Sequence, residues 1–168
     1  EEQLSHIDNS DEDVEELEQK VNELRQQAEK EAHTLTTIRE KSAKKVEEEM
    51  KQRLVPLGIP NVRFSIDLTQ KSLSHDGADK VSFLFSANKS TPLQPITQVA
   101  SGGEIARVML SLKAMISGAV KLPTIIFDEI DIGVSGKIAE KMANIMVEMG
   151  NHERQVLSIT HLPQIAAL

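Results

Sequence analysis

Apolar residues recur at Val14, Leu17, Val21, Leu24 and Ala28, then at Leu35 and Ile38, in steps of three and four that fit an a/d heptad seam broken at Glu31. Beyond Ile38 the stripe continues through Ser42, Val46, Met50 and Leu54 in steps of four, which perturb a left-handed supercoil. Neither Gly nor Pro interrupts before Pro56, so the spacing predicts one helix from about Asp13 to Leu54. A stripe this narrow does not bury itself, and the helix is expected to pack on another, in this chain or a partner. Pro56, Gly58 and Pro60 end that arm, and the period changes to two. Val62, Phe64, Ile66 and Leu68 alternate with polar residues, as do Val81, Phe83 and Phe85, predicting two half-buried strands around a loop that contains Asp76-Gly77.

From Gln98 onward, helical and extended patterns alternate. Ile105, Val108, Met109, Leu112 and Ile116 predict a helix ending near Gly118, and Thr124–Phe127 a short apolar strand. Ile138, Met142, Ile145 and Met149 predict a second helix stopped by Gly150; Val156–Ile159 predict another strand, and Pro163 opens a third helix. Strands separated by helical stretches of this length imply a parallel sheet with crossover helices. The expected class is therefore α/β, with a β-hairpin and a long coiled-coil helix in front. The expected division is a coiled-coil arm over residues 1–55 and a truncated head lobe over residues 56–168.

Charge reinforces that division. The net charge of −7 lies in residues 1–55, which hold 16 acidic and 9 basic side chains, whereas residues 56–168 hold ten of each. Phosphate binding by a surface leaves a basic footprint, and neither part has one. There is no Cys, which excludes disulfides, zinc–thiolate sites and a thiol nucleophile. No apolar run approaches the roughly 18 residues of a membrane span.

Three short segments carry candidate chemistry. Ser101-Gly102-Gly103-Glu104 has the Ser-x-x-Glu form of a capping box, a structural role. Its two glycines also bare backbone amides at the positive end of a helix dipole, where a phosphate binds. Thr124-Ile125-Ile126-Phe127 runs into Asp128-Glu129, either a polar strand exit or a magnesium ligand followed by a base, at the strand end where α/β sheets bind ligands. His161 follows the strand Val156–Ile159 at the same kind of edge. A phosphate cradle of the form G-x-x-x-x-G-K-[ST] is missing: the one Gly-Lys pair, Gly136-Lys137, is followed by Ile138 and has Asp131 five residues before it.

The stretch Ala100–Lys113, with Ser101, Gly102, Gly103, Glu104 and Arg107, resembles the signature motif of SMC-type ATP-binding-cassette (ABC) ATPases. Phe127–Gly136, Thr160–Ala166 and Gly77–Lys89 are similar in particular to the RecN family of bacterial DNA double-strand-break repair proteins. The resemblance implies the carboxyl-terminal half of an ABC-type ATPase head that uses ATP and Mg2+. It implies that Ser101, Gly102, Gly103 and Glu104 contact the γ-phosphate of ATP held by an opposing subunit, and that Asp128 orders magnesium. Glu129 would activate the attacking water, His161 would sense the γ-phosphate, and the loop from Asp131 through Ser135 to Gly136 would cross a head–head interface. The partners implied are an amino-terminal half bearing the P-loop and outgoing helix, a second copy through ATP-bound heads, and DNA. The implied location is the bacterial cytoplasm at the nucleoid. A stretch without a P-loop is expected to be inactive by itself. The competing reading is a non-catalytic coiled-coil tethering module of another SMC-type protein.

Overall fold

The computed structural model describes residues 2–99, 101–118, 120, 122–134, 136–150 and 154–167, with side chains from Asp13 onward. Helix α1 spans Glu2–Leu54, followed by strands β1 (Arg63–Ser74), β2 (Gly77–Ser86) and β3 (Gln94–Pro95) and a single 3-10 turn at Ile96–Gln98. Helix α2 (Gly102–Ser117), strand β4 (Thr124–Asp128), helix α3 (Gly136–Gly150), strand β5 (Gln155–Ile159) and a short helix α4 (Pro163–Ala166) complete the chain. The long helix begins eleven residues before the expected Asp13, because residues 2–12 are polar without containing a helix breaker. β1 to β3 form one sheet in that order, with β2 and β3 antiparallel and Phe85 opposite Gln94. β4 and β5 pair in parallel, Ile125 beside Val156 and Asp128 beside Ile159, as the helix–strand alternation predicted.

The chain divides into two compact units, residues 1–42 with 68–81, and residues 43–67 with 82–168. In the first, Ala32 is buried and the Thr36 hydroxyl donates to Asp79 at 2.9 Å. Arg39 donates to the Asp79 carboxylate at 3.0 Å and to the Asp76 carbonyl at 2.8 Å. The Arg39 bond outweighs burial and, with Thr36, holds the Asp79 carboxyl below its usual value. The heptad seam itself is bare: Val14, Leu17, Val21, Leu24 and Ile38 are all more than half exposed.

The second unit has two apolar clusters. Met50 and Leu54 are fully buried with Ile59, Phe64, Phe85 and Val108, so the steps of four after Ile38 serve a globular core rather than a supercoil. The other cluster joins Leu110 of α2, Ile125 and Phe127 of β4, and Ala139, Met142 and Met146 of α3. Burying each large side chain contributes roughly 1.5–3 kcal/mol, which is how an almost aromatic-free chain holds this unit. β4 buries Ile125 and Phe127 and leaves Thr124, Ile126 and Asp128 exposed. Its neighbours in register on that open face, Leu157 and Ile159, are also exposed, so one face of the parallel pair is covered by the core and the other is uncovered and apolar. In β2 the expected burial holds for Phe85 alone, since Val81 and Phe83 are 41% and 40% exposed.

Candidate functional site

Helix α2 starts where the glycines place it. Ser101, in extended conformation, caps the helix, and its Oγ accepts the Glu104 N–H at 3.4 Å, a long bond that leaves the cap open to competition. The two glycines do different things. A β-carbon on Gly102 would meet nothing within 4 Å, so the space beside this first helical residue is open. A β-carbon on Gly103 would lie 2.7 Å from the Ile132 carbonyl oxygen. Gly103 is therefore a packing glycine that seats the helix start directly on the turn after β4. One turn further, Arg107 is half-buried; burial lowers its pKa, the Glu104 charge opposes that shift, and its Nε has no hydrogen-bond partner.

At this same end of β4, Asp128 is the last strand residue and is exposed. Glu129 does not continue the strand; it has a φ of +47°, in the left-handed region. For a non-glycine residue that conformation costs on the order of 1–2 kcal/mol. The ladder holds it there, since Glu129 N–H donates to the Ile159 carbonyl at 3.0 Å, one step beyond the last β4–β5 pair. The strand thus ends with an exposed carboxylate on each side of a strained turn.

Asp131, in the turn that follows, is 1% exposed. Its Oδ2 accepts the Thr160 hydroxyl at 2.5 Å and lies 3.7 Å from Nδ1 of His161, whose side chain is 66% exposed. Among the described residues its Oδ1 has no partner. Asp131 therefore ties the exit of β4 to the exit of β5. The carboxyl edge of the parallel pair gathers Asp128, Glu129, Asp131, Thr160 and His161, and Gly103 brings the start of α2 against the same turn. Ser135 lies outside the described residues. Thr160 escaped the sequence reading because a threonine between a strand and a histidine has no pattern of its own; its partner is 29 residues away.

Among the described residues no three His, Asp or Glu cluster as a complete metal site. Magnesium in nucleotide sites is usually held by one or two carboxylates plus phosphate oxygens and water, so a single exposed Asp128 at a strand end fits such a share. The open space beside Gly102, at the start of α2, fits an anion in the same way.

No protein-family model matches the chain. It is 37% identical over 175 residues to the DNA repair protein RecN of Halalkalibacterium halodurans, covering 100% of this chain and 30% of that protein. RecN of Synechocystis sp. is 37% identical over 167 residues, covering 99% of the chain and 28% of the relative. The chain is related to the carboxyl-terminal part of RecN. It spans about a third of the length of the RecN proteins it matches, that of Vibrio cholerae included, where 98% of this chain aligns with 30% of the relative at 37% identity. Among solved structures it is similar to an Smc head domain with a coiled coil and joint from Pyrococcus yayanosii, with a TM-score of 0.59 at 19% identity over 77% of this chain and 24% of that one. An Smc head domain with an extended coiled coil from Pyrococcus furiosus, bound to the C-terminal domain of ScpA, gives a TM-score of 0.57 at 19% identity over 77% and 31%. At these identities the likeness shows the fold, an SMC-type head with its helix. Among the described residues no helix is long and apolar enough to cross a membrane.

Proposed function

We propose that the chain is the carboxyl-terminal part of an SMC-type ATPase of bacterial DNA double-strand-break repair, acting in the cytoplasm at the nucleoid. The observation that carries this is the gathering of Asp128, Glu129, Asp131 and His161 at the carboxyl edge of β4 and β5, with the Ser101–Glu104 helix start seated on the same turn through Gly103. In this reading Asp128 would be one ligand of a magnesium ion, which would offset phosphate charge. Glu129, turned out of the sheet by its left-handed backbone, accepts a proton from water as the water oxygen bonds to the γ-phosphorus and the bond to the β-phosphate oxygen breaks, releasing ADP and phosphate. His161 contacts the γ-phosphate. Ser101 and the amides of Gly102 and Gly103 receive the phosphate of a nucleotide held by another subunit, Glu104 holds the cap, and Asp131 and Ser135 lie in a loop at the head–head interface.

The phosphate cradle itself must come from elsewhere, since these 168 residues have no G-x-x-x-x-G-K-[ST]. The uncovered face of Ile126, Leu157 and Ile159 supports an amino-terminal part of the same protein completing the sheet, and the bare seam of α1 supports an outgoing helix beside it. DNA enters through the relatives' role in repair and not through charge. The test is to supply the amino-terminal part, in trans or by fusion, and to measure association between the completed heads with and without ATP. ATP-dependent association weakened by Ser101→Arg supports the proposal, and association indifferent to ATP refutes it. The bare seam also favours the second reading, a non-catalytic tether, in which the arm associates equally well without nucleotide.

A further inference from the structure

Thr160 makes two hydrogen bonds that leave its hydroxyl one orientation. Leu162 N–H donates to Oγ1 at 3.0 Å, and the single hydroxyl proton is given to Asp131 Oδ2 at 2.5 Å. Asp131 is 1% exposed, and with Oδ1 unpartnered among the described residues, Thr160 is the donor they offer to fix its carboxylate plane. Oδ2 is also the oxygen that faces His161, 3.7 Å from Nδ1. That gap is longer than a hydrogen bond and closes by rotation of an imidazole whose side chain is mostly exposed.

We infer that Thr160 is a positioning residue: through Asp131 it presets a seat for Nδ1–H of His161, so that the imidazole presents Nε2 outward, toward ligand. An imidazole that donates from Nδ1 to a carboxylate is fixed in tautomer and direction, the same logic by which metal-bound and triad histidines are oriented by their second partner. Without the threonine hydroxyl the buried carboxylate loses that donor and is free to turn, and the seat goes with it. The inference deepens the role proposed above for His161 and rests on it for its purpose, but its geometry is tested without nucleotide.

The experiment is nitrogen-15 NMR of the histidine side chains in the 168-residue chain, at a pH where the imidazoles are neutral, with His161 assigned among the five histidines by its loss in His161→Gln. The expected result is a predominantly Nδ1–H tautomer for His161 in the unmodified chain, lost in Thr160→Val and restored in Thr160→Ser. A predominantly Nε2–H form in the unmodified chain overturns the inference, as does a Thr160→Val spectrum indistinguishable from it. Should Thr160→Val not give a native-like amide spectrum, Thr160→Cys, whose thiol donates weakly, is read in its place, and an unchanged Nδ1–H population there overturns it equally. If the tautomer result fails while ATP-dependent association of the completed heads succeeds, the positioning role alone is lost.

Discussion

Two adjacent glycines at the start of α2 should answer the same substitution in opposite ways. In Gly103→Ala the new β-carbon meets the Ile132 carbonyl oxygen at 2.7 Å, against the 3.4–4 Å of ordinary contact, so the helix start or the turn after β4 must move by about 0.7 Å or more. Neither atom is the free end of a flexible side chain, and overpacking of this kind costs typically ~1–3 kcal/mol. Alanine returns up to about 1 kcal/mol of helix propensity, less at the first turn, which leaves a net loss of roughly 0.5–2 kcal/mol. In Gly102→Ala the β-carbon enters open space, and the propensity term alone predicts no loss and a gain of up to about 0.5–1 kcal/mol. Urea unfolding of the two variants, read as a change in midpoint at constant slope, should therefore separate them by about 0.5–3 kcal/mol with Gly103→Ala the weaker. Equal midpoints would refute the claim that Gly103 seats the helix on the turn.

Other consequences are simpler to state. Met50→Ala removes a fully buried side chain and should cost about 2–5 kcal/mol, while Leu17→Ala, on the bare seam, should change the stability of the chain by less than about 0.5 kcal/mol, both read by urea unfolding. Asp79 is held below its usual pKa by Arg39 first and Thr36 second. Its stabilisation is present above the unfolded carboxylate value of about 4 and is lost as pH falls through the lower folded value, so protection from hydrogen exchange at its helix and hairpin, corrected for the intrinsic pH dependence of amide exchange, should fall below about pH 4, and Asp79→Asn should flatten that dependence. Ile126→Glu, on the uncovered sheet face, should leave the chain folded by circular dichroism yet block association with an amino-terminal part in a pull-down.

Much of the head was legible because its elements announce their periods. The α2 and α3 stripes end at the serine and glycine where the helices end, and the strands before Glu129 and Thr160 stand where short apolar runs predicted them. The hairpin was read short, because β1 and β2 extend through polar residues such as Thr69–Ser74 and Lys80 that carry no alternation of hydrophobicity. β3, two residues ending in a proline, has no period to detect. Asp128, Glu129 and His161 were legible by position at strand ends, whereas the left-handed turn at Glu129 and the Thr160–Asp131 bond arise from tertiary constraint, in which the ladder and a residue 29 positions away decide the geometry. The helix itself was legible, whereas the use of its stripe was not: up to Ile38 the stripe is exposed, beyond it a similar spacing serves a core, and spacing alone does not distinguish a partner helix from the chain's own strands.

The most direct test of the central claim is ATP turnover after this chain is joined with an amino-terminal part that carries a phosphate cradle. The account predicts turnover by the joined protein, none by the 168 residues alone, and a loss of roughly 10²–10⁴-fold in Glu129→Gln with ATP-dependent association retained. Turnover that Glu129→Gln leaves unchanged would contradict it.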